Sequence, residues 1–168
     1  MANRQLIREI LAKYNVELHI KHDDTTLEDV SSKLGSVFKQ TAIVAPFTGV
    51  IRDVYARLGV KSTAEKIEDI PAPYEKVVAA TALSINRNSL DLQQMLDVKQ
   101  GAYFEVALAA SVLSAEGRLE INLEESEGKI HVVAKSITPG QMYSWGRVTT
   151  ILDNLFSGIT DYLKTLSD

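Results

Sequence analysis

Histidines and carboxylates lie close together near the start of the chain, at His19, His22, Asp23 and Asp24. Imidazole and carboxylate groups are ligands that zinc, manganese and iron accept. Residues three apart on a strand point to opposite faces, so the two histidines converge only if the chain turns between them. A metal-dependent enzyme using His19, His22 and Asp23 is therefore an alternative function. The more ordinary interpretation is a solvated strand end followed by an Asp-rich helix cap, and we expect no bound metal there.

Other catalytic templates are missing from the sequence. The chain has no cysteine, which excludes thiolate catalysis and Cys-ligated metal centres. It also has no glycine-rich phosphate loop, no dinucleotide-binding glycine turn and no nucleophile elbow. Neighbouring carboxylates, such as Glu124 with Glu125 and Glu68 with Asp69, stand in charged surroundings rather than the apolar ones that acid catalysis needs. The sequence predicts no catalytic residue and no cofactor.

One stretch of the chain resembles part of a known family. Residues 104–135 have the pattern of an apolar helix, a glycine, a strand, an acidic turn and a second strand, which is similar to the ATP-binding domain of histidine kinases. Where that family carries a magnesium-binding asparagine, this chain has Ala109, Ala110 and Ser111, and no Asp-x-Gly-x-Gly follows the second strand. The positions that would hold the nucleotide are missing, so we do not assign the chain to this family.

Length and composition predict one globular domain spanning residues 1–168. Hydrophobic residues make up 45% of the chain and charged ones 24%, close to the averages for globular proteins. The net charge is -4 and the basic residues are scattered, so we expect no nucleic acid partner. No stretch approaches the roughly 20 apolar residues of a membrane span, and the N-terminal segment lacks the apolar region of a signal peptide. We therefore expect a cytoplasmic protein.

The spacing of apolar residues predicts an α+β fold that is mostly helical. A helical period of three to four residues recurs along most of the chain, and Pro71 and Pro73 form its stiffest connector. Residues 101–115 are rich in alanine, which favours a close-packed central helix. Helices are predicted at 2–14, 27–40, 50–58, 62–69, 74–86, 88–97 and 101–115, and a long C-terminal helix runs to about residue 166.

A smaller part of the chain has the alternation of strands. Leu119, Ile121 and Leu123 alternate with polar residues, and a second alternating segment follows the turn at 125–128, which predicts a hairpin over 119–135. Residues 16–20 also alternate and are the natural third strand, because a hairpin alone is marginally stable. We expect a small antiparallel sheet packed on a helical layer, in which His131 of the hairpin could join His19.

The C-terminal helix carries the most regular apolar spacing in the chain. Intervals of three and four residues favour helix packing at shallow angles, either within the monomer or against a second copy. From this pattern we predict a non-catalytic interaction protein, an acidic adaptor, regulator or assembly subunit, that forms a homo-oligomer, most simply a dimer. A small-molecule-binding domain with a pocket between hairpin and helices, lined by Tyr103, Phe104 and Trp145, is an alternative. The predicted interface residues are Trp145, Val148, Leu152, Leu155, Ile159, Tyr162 and Leu166.

Overall fold

A computed structural model describes residues 3–22, 61–99, 101–109, 116–139 and 146–166. The predicted helices at 27–40 and 50–58 lie outside these ranges. The elements within them are, in chain order, α1 Arg4–Lys13, β1 Ile20–His22, β2 Lys61–Ile70, α2 Tyr74–Arg87, β3 Asp91–Val98, β4 Gly101–Leu108, β5 Gly117–Ser126, β6 Lys129–Pro139 and α3 Arg147–Thr165.

The strands form one six-stranded sheet in the order β1-β3-β4-β5-β6-β2. Every neighbouring pair is antiparallel except β1 and β3, which are parallel. The tight turn between β5 and β6 has Glu127 at φ 51° and Gly128 at φ 74°. Positive φ at both central positions is the requirement of a type I′ turn, whose twist matches that of the strands it joins. The chain thus builds β3 to β6 as consecutive neighbours and adds β1 and β2 at the edges.

The main core lies between one face of the sheet and the helices α1, α2 and α3. Phe104, Ile121 and Ala134 are cross-strand neighbours on that face, and all three are fully buried. The middle of α2, residues 77–85, is buried on all sides, which its alanines allow because small side chains let α3 approach closely. Arg4 ties α1 to the sheet through an ion pair with Asp97, in which Nη2 and Oδ2 are 2.8 Å apart.

The two longest helices, α2 and α3, are in close contact at Ser84 and Gly158. Ser84 Oγ donates a hydrogen bond to the carbonyl oxygen of Leu155, at 2.7 Å. A Cβ atom placed on Gly158 would overlap Ser84 Oγ and lie 3.0 Å from Ser84 Cβ. The glycine is therefore required by the approach of the helices rather than by its own backbone conformation.

The prediction of a mostly helical fold is wrong, because strands account for more of the described residues than helices do. The segments predicted as helices at 62–69, 88–97 and 101–115 overlap the strands β2, β3 and β4. The run in β4 lacks alternation because Tyr103 and Phe104 are buried on opposite faces of the sheet. A shift of register between Leu92 and Gln94 interrupts the alternation of β3. The stretch that resembles histidine kinases accordingly begins as a strand.

The residue pattern of β2 did not predict a strand, and the reason differs from that for β3 and β4. Lys66 points from β2 towards the helices, where its Nζ is 2.9 Å from Asp153 Oδ1 on α3 and 5.2 Å from the ring centre of Phe156. The long lysine side chain thus occupies a position at which an apolar residue is expected. Both faces of β2 look polar in the sequence, so nothing there indicates a strand.

The hairpin predicted at 119–135 is confirmed by the pairing of β5 with β6, but its predicted third strand is wrong. Residues 16–19 are not in a strand, and β1 pairs with β3. Two strands, β3 and β4, therefore separate β1 from the hairpin. The helices predicted at 2–14 and 74–86 and at the C-terminus are present as α1, α2 and α3. In the part of the chain that the structure describes, no helix combines the length and apolar character that crossing a membrane requires.

Candidate functional site

The polar side chains of the sheet are concentrated on the face turned away from the helices, here called the outer face. Its residues are the sequence neighbours of the core residues, because side chains alternate along a strand. Cross-strand neighbours form three rows on it. The turn-end row is Asp69, His131 and Glu124; the tyrosine row is Ile67, Val133, Asn122, Tyr103 and Leu96; the carboxylate row is Glu65, Lys135, Glu120, Glu105 and Gln94.

The turn-end row opens into a pocket of about 270 Å³. His131 Nδ1 lies 2.6 Å from Asp69 Oδ1, so that the ring can donate a hydrogen bond to the carboxylate. Such a contact fixes the orientation of the imidazole and directs its other nitrogen away from Asp69. Three carboxylates face one lysine in the pocket, which makes it electronegative. The lining residues are Asp69, Glu124, Ser126, Glu127, Lys129 and His131.

The tyrosine row holds two buried oxygen atoms: Tyr103 Oη, which is within hydrogen-bonding reach of the Glu105 carboxylate, and Asn122 Oδ1, which has no hydrogen-bond partner among the described residues. The two residues are direct cross-strand neighbours on β4 and β5. Tyr103 is 0% exposed, and it packs with Leu96 and Val98 in a small apolar cluster on the outer face. A phenol is a hydrogen-bond donor and a side-chain amide oxygen is an acceptor. Burying an amide oxygen without a partner costs about 1–3 kcal/mol.

The carboxylate row places Glu105 directly opposite Glu120, an arrangement in which the two negative charges repel each other. Neighbouring groups offset this repulsion. Arg118 Nε is 2.8 Å from Glu120 Oε1, with side chains 7% and 3% exposed. Gln94 Nε2 donates to Glu105 Oε2 at 3.1 Å. Lys135 is the cross-strand neighbour of Glu120 on β6. Buried charges are retained in proteins when they are paired in this way.

Burial raises the pKa of Tyr103 well above the ordinary value of 10.0, and the carboxylates of Glu120 and Glu105 raise it further, while Arg118 opposes them. Above about pH 10 the unfolded chain loses this phenolic proton and the folded chain keeps it, so the free energy of unfolding should fall. Below about pH 10 the phenol is protonated in both states, so it does not make the free energy of unfolding depend on pH. Tyr103→Phe should therefore make the free energy of unfolding fall less steeply above about pH 10, by up to about 1.4 kcal/mol per pH unit. Urea denaturation between pH 8 and 11 tests this; parallel curves for the two proteins would contradict it.

The structure does not bring together the predicted metal ligands in the part of the chain that it describes. His19 is exposed and precedes β1, while Asp23 and the side chain of His22 lie outside the described residues. His131 is on β6, and three strands separate β6 from β1, because the first strand does not join the hairpin. Among the described residues no group of three His, Cys, Asp or Glu side chains is placed to hold a metal ion.

The predicted interface residues of α3 that the structure describes all contact the chain's own core. Leu152 is 2% exposed, and Leu155 and Ile159 are 0% exposed. Val148, Tyr162 and Leu166 are half-buried; the ring of Tyr162 packs edge-on against Tyr14, with centroids 5.5 Å apart. Trp145 lies outside the described residues. The dimer through this helix stays a prediction. Among the described interface residues, only those near the two ends of α3 leave exposed surface that a partner could contact.

Sequence reasoning did not identify the outer-face site. Glu120, Asn122 and Glu124 alternate with the core residues of β5, and this pattern predicts a hairpin strand but does not indicate a site. Tyr103 was expected beside Phe104 in a pocket between hairpin and helices, whereas the two point to opposite faces and Phe104 is in the main core. The sequence signal for this site is limited to Arg118 and Asn122, which stand among acidic residues on one face of β5.

No protein-family model and no curated protein matches the sequence. Among solved structures, the chain is similar to the crystal structure of Ara h 8.0201, with a TM-score of 0.42 and 11% identity over 64% of this chain and 99% of that one. It is also similar to TTHA0849 from Thermus thermophilus, with a TM-score of 0.34 and 11% identity over 64% of this chain and 100% of that one. Likenesses this distant assign neither a family nor a function, so function has to be argued from the outer face itself.

Proposed function

We propose that this chain is a small-molecule-binding domain whose ligand carries a positive charge and binds in the pocket at the turn end of the outer face. The observation that carries the proposal is the composition of that pocket, in which the carboxylates of Asp69, Glu124 and Glu127 face a single lysine, Lys129. The net charge of -4 over the whole chain acts in the same direction and attracts cations towards the surface.

The neighbourhood of His131 supports a binding role. Asp69 holds the imidazole in one orientation, which gives the pocket a planar wall with a polar edge. The side chains of His131 and Asp69 are 42% and 58% exposed, so a ligand can reach them from solvent. Because each charge is partly solvated, a single ion pair here contributes about 0.2–1 kcal/mol, and affinity must come from several contacts together.

The proposal is tested by titrating pentylamine into the protein and following backbone amide shifts by NMR. We expect shifts at the turn between β5 and β6, and weaker binding by about two- to fivefold in Glu124→Gln, because the substitution removes one carboxylate. Glu17→Gln is the matched control, since Glu17 is exposed and precedes β1 on the opposite side of the sheet order. Equal weakening in both variants, or no shifts at the turn, would contradict a cation site in this pocket.

The interaction protein predicted from the sequence is the second candidate. It is favoured by Ile67, which is 50% exposed on β2, an edge strand of the described sheet. Edge strands expose backbone groups that can pair with another chain. We expect a homodimer in sedimentation velocity across a concentration series, dissociated by Ile67→Lys if the edge is used and by Tyr162→Ala if the end of α3 is used. A wild type that remains monomeric into the high micromolar range would remove this candidate.

A cytoplasmic location and the lack of nucleic acid binding, both expected from the sequence, remain part of the proposal. The first would be checked by fractionation of cells. The second would be checked by a binding titration at physiological salt, where an acidic chain should have no sub-micromolar affinity for DNA or RNA.

A further inference from the structure

Three residues of the turn-end pocket have the chemical types needed for nucleophilic catalysis. The pocket is lined by Ser126 on β5, His131 on β6 and Asp69 on β2, so a hydroxyl, an imidazole and a carboxylate face one cavity. The proposed function uses the charges of this pocket and gives the serine no role. Sites that combine a nucleophile, a base and an acid that orients the base are recognised by geometry, because the order of these residues in a sequence varies.

The contact between Asp69 and His131 prepares the imidazole to act as a base. Asp69 Oδ1 is 2.6 Å from His131 Nδ1. When the neutral ring donates this hydrogen bond from Nδ1, its Nε2 keeps a lone pair that can accept a proton. Asp69 is on β2 and Ser126 is on β5, and these strands are the two neighbours of β6. The ring is therefore held from one side, and the serine lies on the other side.

Ser126 is the side chain of the pocket that best suits Nε2. Ser126 is paired with Lys129, and Glu124 is paired with His131. Ser126 and His131 are thus diagonal neighbours, a spacing that long side chains can bridge. The carboxylates of Glu124 and Glu127 only accept hydrogen bonds, whereas the serine hydroxyl has a proton to donate to Nε2. The ammonium group of Lys129, beside Ser126, can stabilise negative charge that forms on a substrate oxygen.

We propose that this pocket hydrolyses short-chain esters, with Ser126 as the nucleophile, His131 as the general base and Asp69 as a positioning residue. Ser126 Oγ attacks the acyl carbon, and the hydroxyl proton passes to His131 Nε2. The bond from the acyl carbon to the alcohol oxygen breaks, and the same proton moves to the leaving alcohol. Water then attacks the acyl-serine, giving one proton to His131, which returns it to Ser126 Oγ as the carboxylic acid leaves.

The pocket also indicates the class of ester. Its volume of about 270 Å³ is below that of pockets that bind drug-sized ligands, which favours a short acyl chain. The carboxylates of Glu124 and Glu127 disfavour an anionic ester and repel the carboxylate product, so neutral or positively charged esters fit best. This activity goes beyond the proposed function, which concerns binding alone, and it does not require that an amine binds.

The test measures hydrolysis of 4-nitrophenyl acetate from the release of 4-nitrophenolate. Ser126→Ala and His131→Gln should each lower kcat/KM by at least about tenfold, and the double variant should lower it no further, because residues that act as a unit have non-additive effects. Asp69→Asn should lower kcat and leave KM unchanged, since it alters only the orientation of the base. Ser157→Ala and His19→Gln are the matched controls, because both residues are exposed and lie outside the pocket.

A second measurement identifies the nucleophile. An activated serine displaces fluoride from phenylmethanesulfonyl fluoride and keeps the sulfonyl group, so peptide mass spectrometry should find this group on Ser126 in the wild type and not in His131→Gln. The midpoint of thermal unfolding verifies that each variant folds. Hydrolysis that persists in Ser126→Ala, or a label on a different residue, would overturn the proposal. Neither result depends on amine binding, so the proposed function is tested separately.

The substrate class is tested with mono-4-nitrophenyl succinate, whose acyl chain carries a carboxylate. We expect kcat/KM to be lower than that of the acetate by about fivefold, and this difference should shrink in Glu124→Gln, which removes one of the repelling charges. Equal values for the two esters in the wild type would overturn the assignment of neutral or positively charged substrates.

Discussion

Arg118→Met should lower the free energy of unfolding by about 3 kcal/mol or more, one of the largest effects expected from a single substitution. Methionine retains much of the length and apolar contact of the arginine stem but removes its charge. Glu120, whose side chain is 3% exposed, then loses the guanidinium 2.8 Å away. A buried charge that loses its partner typically costs about 3–5 kcal/mol. Urea denaturation at neutral pH measures the change.

The double variant Arg118→Met/Glu120→Leu is the control for this prediction. It replaces both charges by apolar side chains, and pairs replaced in this way are often as stable as the original. We expect it to recover most of the loss. A double variant as unstable as Arg118→Met would show that packing rather than charge accounts for the effect.

Leu155→Ala should cost about 3–4 kcal/mol, the second large effect. Leu155 is 0% exposed in the core between α2, α3 and the sheet. Truncating a buried leucine removes its transfer free energy and leaves a cavity that the surrounding helices fill only in part. Leu6→Ala is the matched control, because Leu6 is 39% exposed on α1 and the same atoms are removed there. Its cost should stay below about 1 kcal/mol.

The Leu155→Ala variant also tests the interface predicted on α3. If the core of the monomer accounts for the burial of Leu155, the effect of Leu155→Ala will not depend on protein concentration. An unfolding midpoint that rises with concentration for the wild type would instead indicate that a second copy contributes to stability.

Sequence patterns predicted the elements that have one buried side and a clear period. The hairpin of β5 and β6, with its alternating residues Leu119, Ile121 and Leu123, and the apolar stripe of α3 are of this kind. Strands β2, β3 and β4 could not be recognised from the same rules. In β4 both faces are buried, in β3 the register shifts, and in β2 the charged Lys66 packs on α3. Each of these features depends on neighbours that are distant in sequence.

The outer-face site was beyond sequence prediction for a related reason. Glu105, Asn122 and Tyr103 are polar or amphipathic residues that occur singly in the sequence, and only the pairing of β4 with β5 makes them neighbours. Likewise, Asp69 and His131 meet because β2 pairs with β6, although the two residues are far apart along the chain. A pattern within one element carries no information on such pairs. The helix predicted at 101–115 also excludes the strand pairing that brings Tyr103 and Glu105 next to β5.

The close contact between Ser84 and Gly158 limits which residues homologous sequences can have at these two positions. Any side chain at position 158 would collide with the atoms that serine provides at position 84. A relative that has gained alanine at 158 is therefore expected to have alanine or glycine at 84, because the loss of Oγ removes the most severe overlap. The two positions should vary together across an alignment of descendants, and this covariation would identify the crossing of α2 and α3 in sequences too divergent for other comparison.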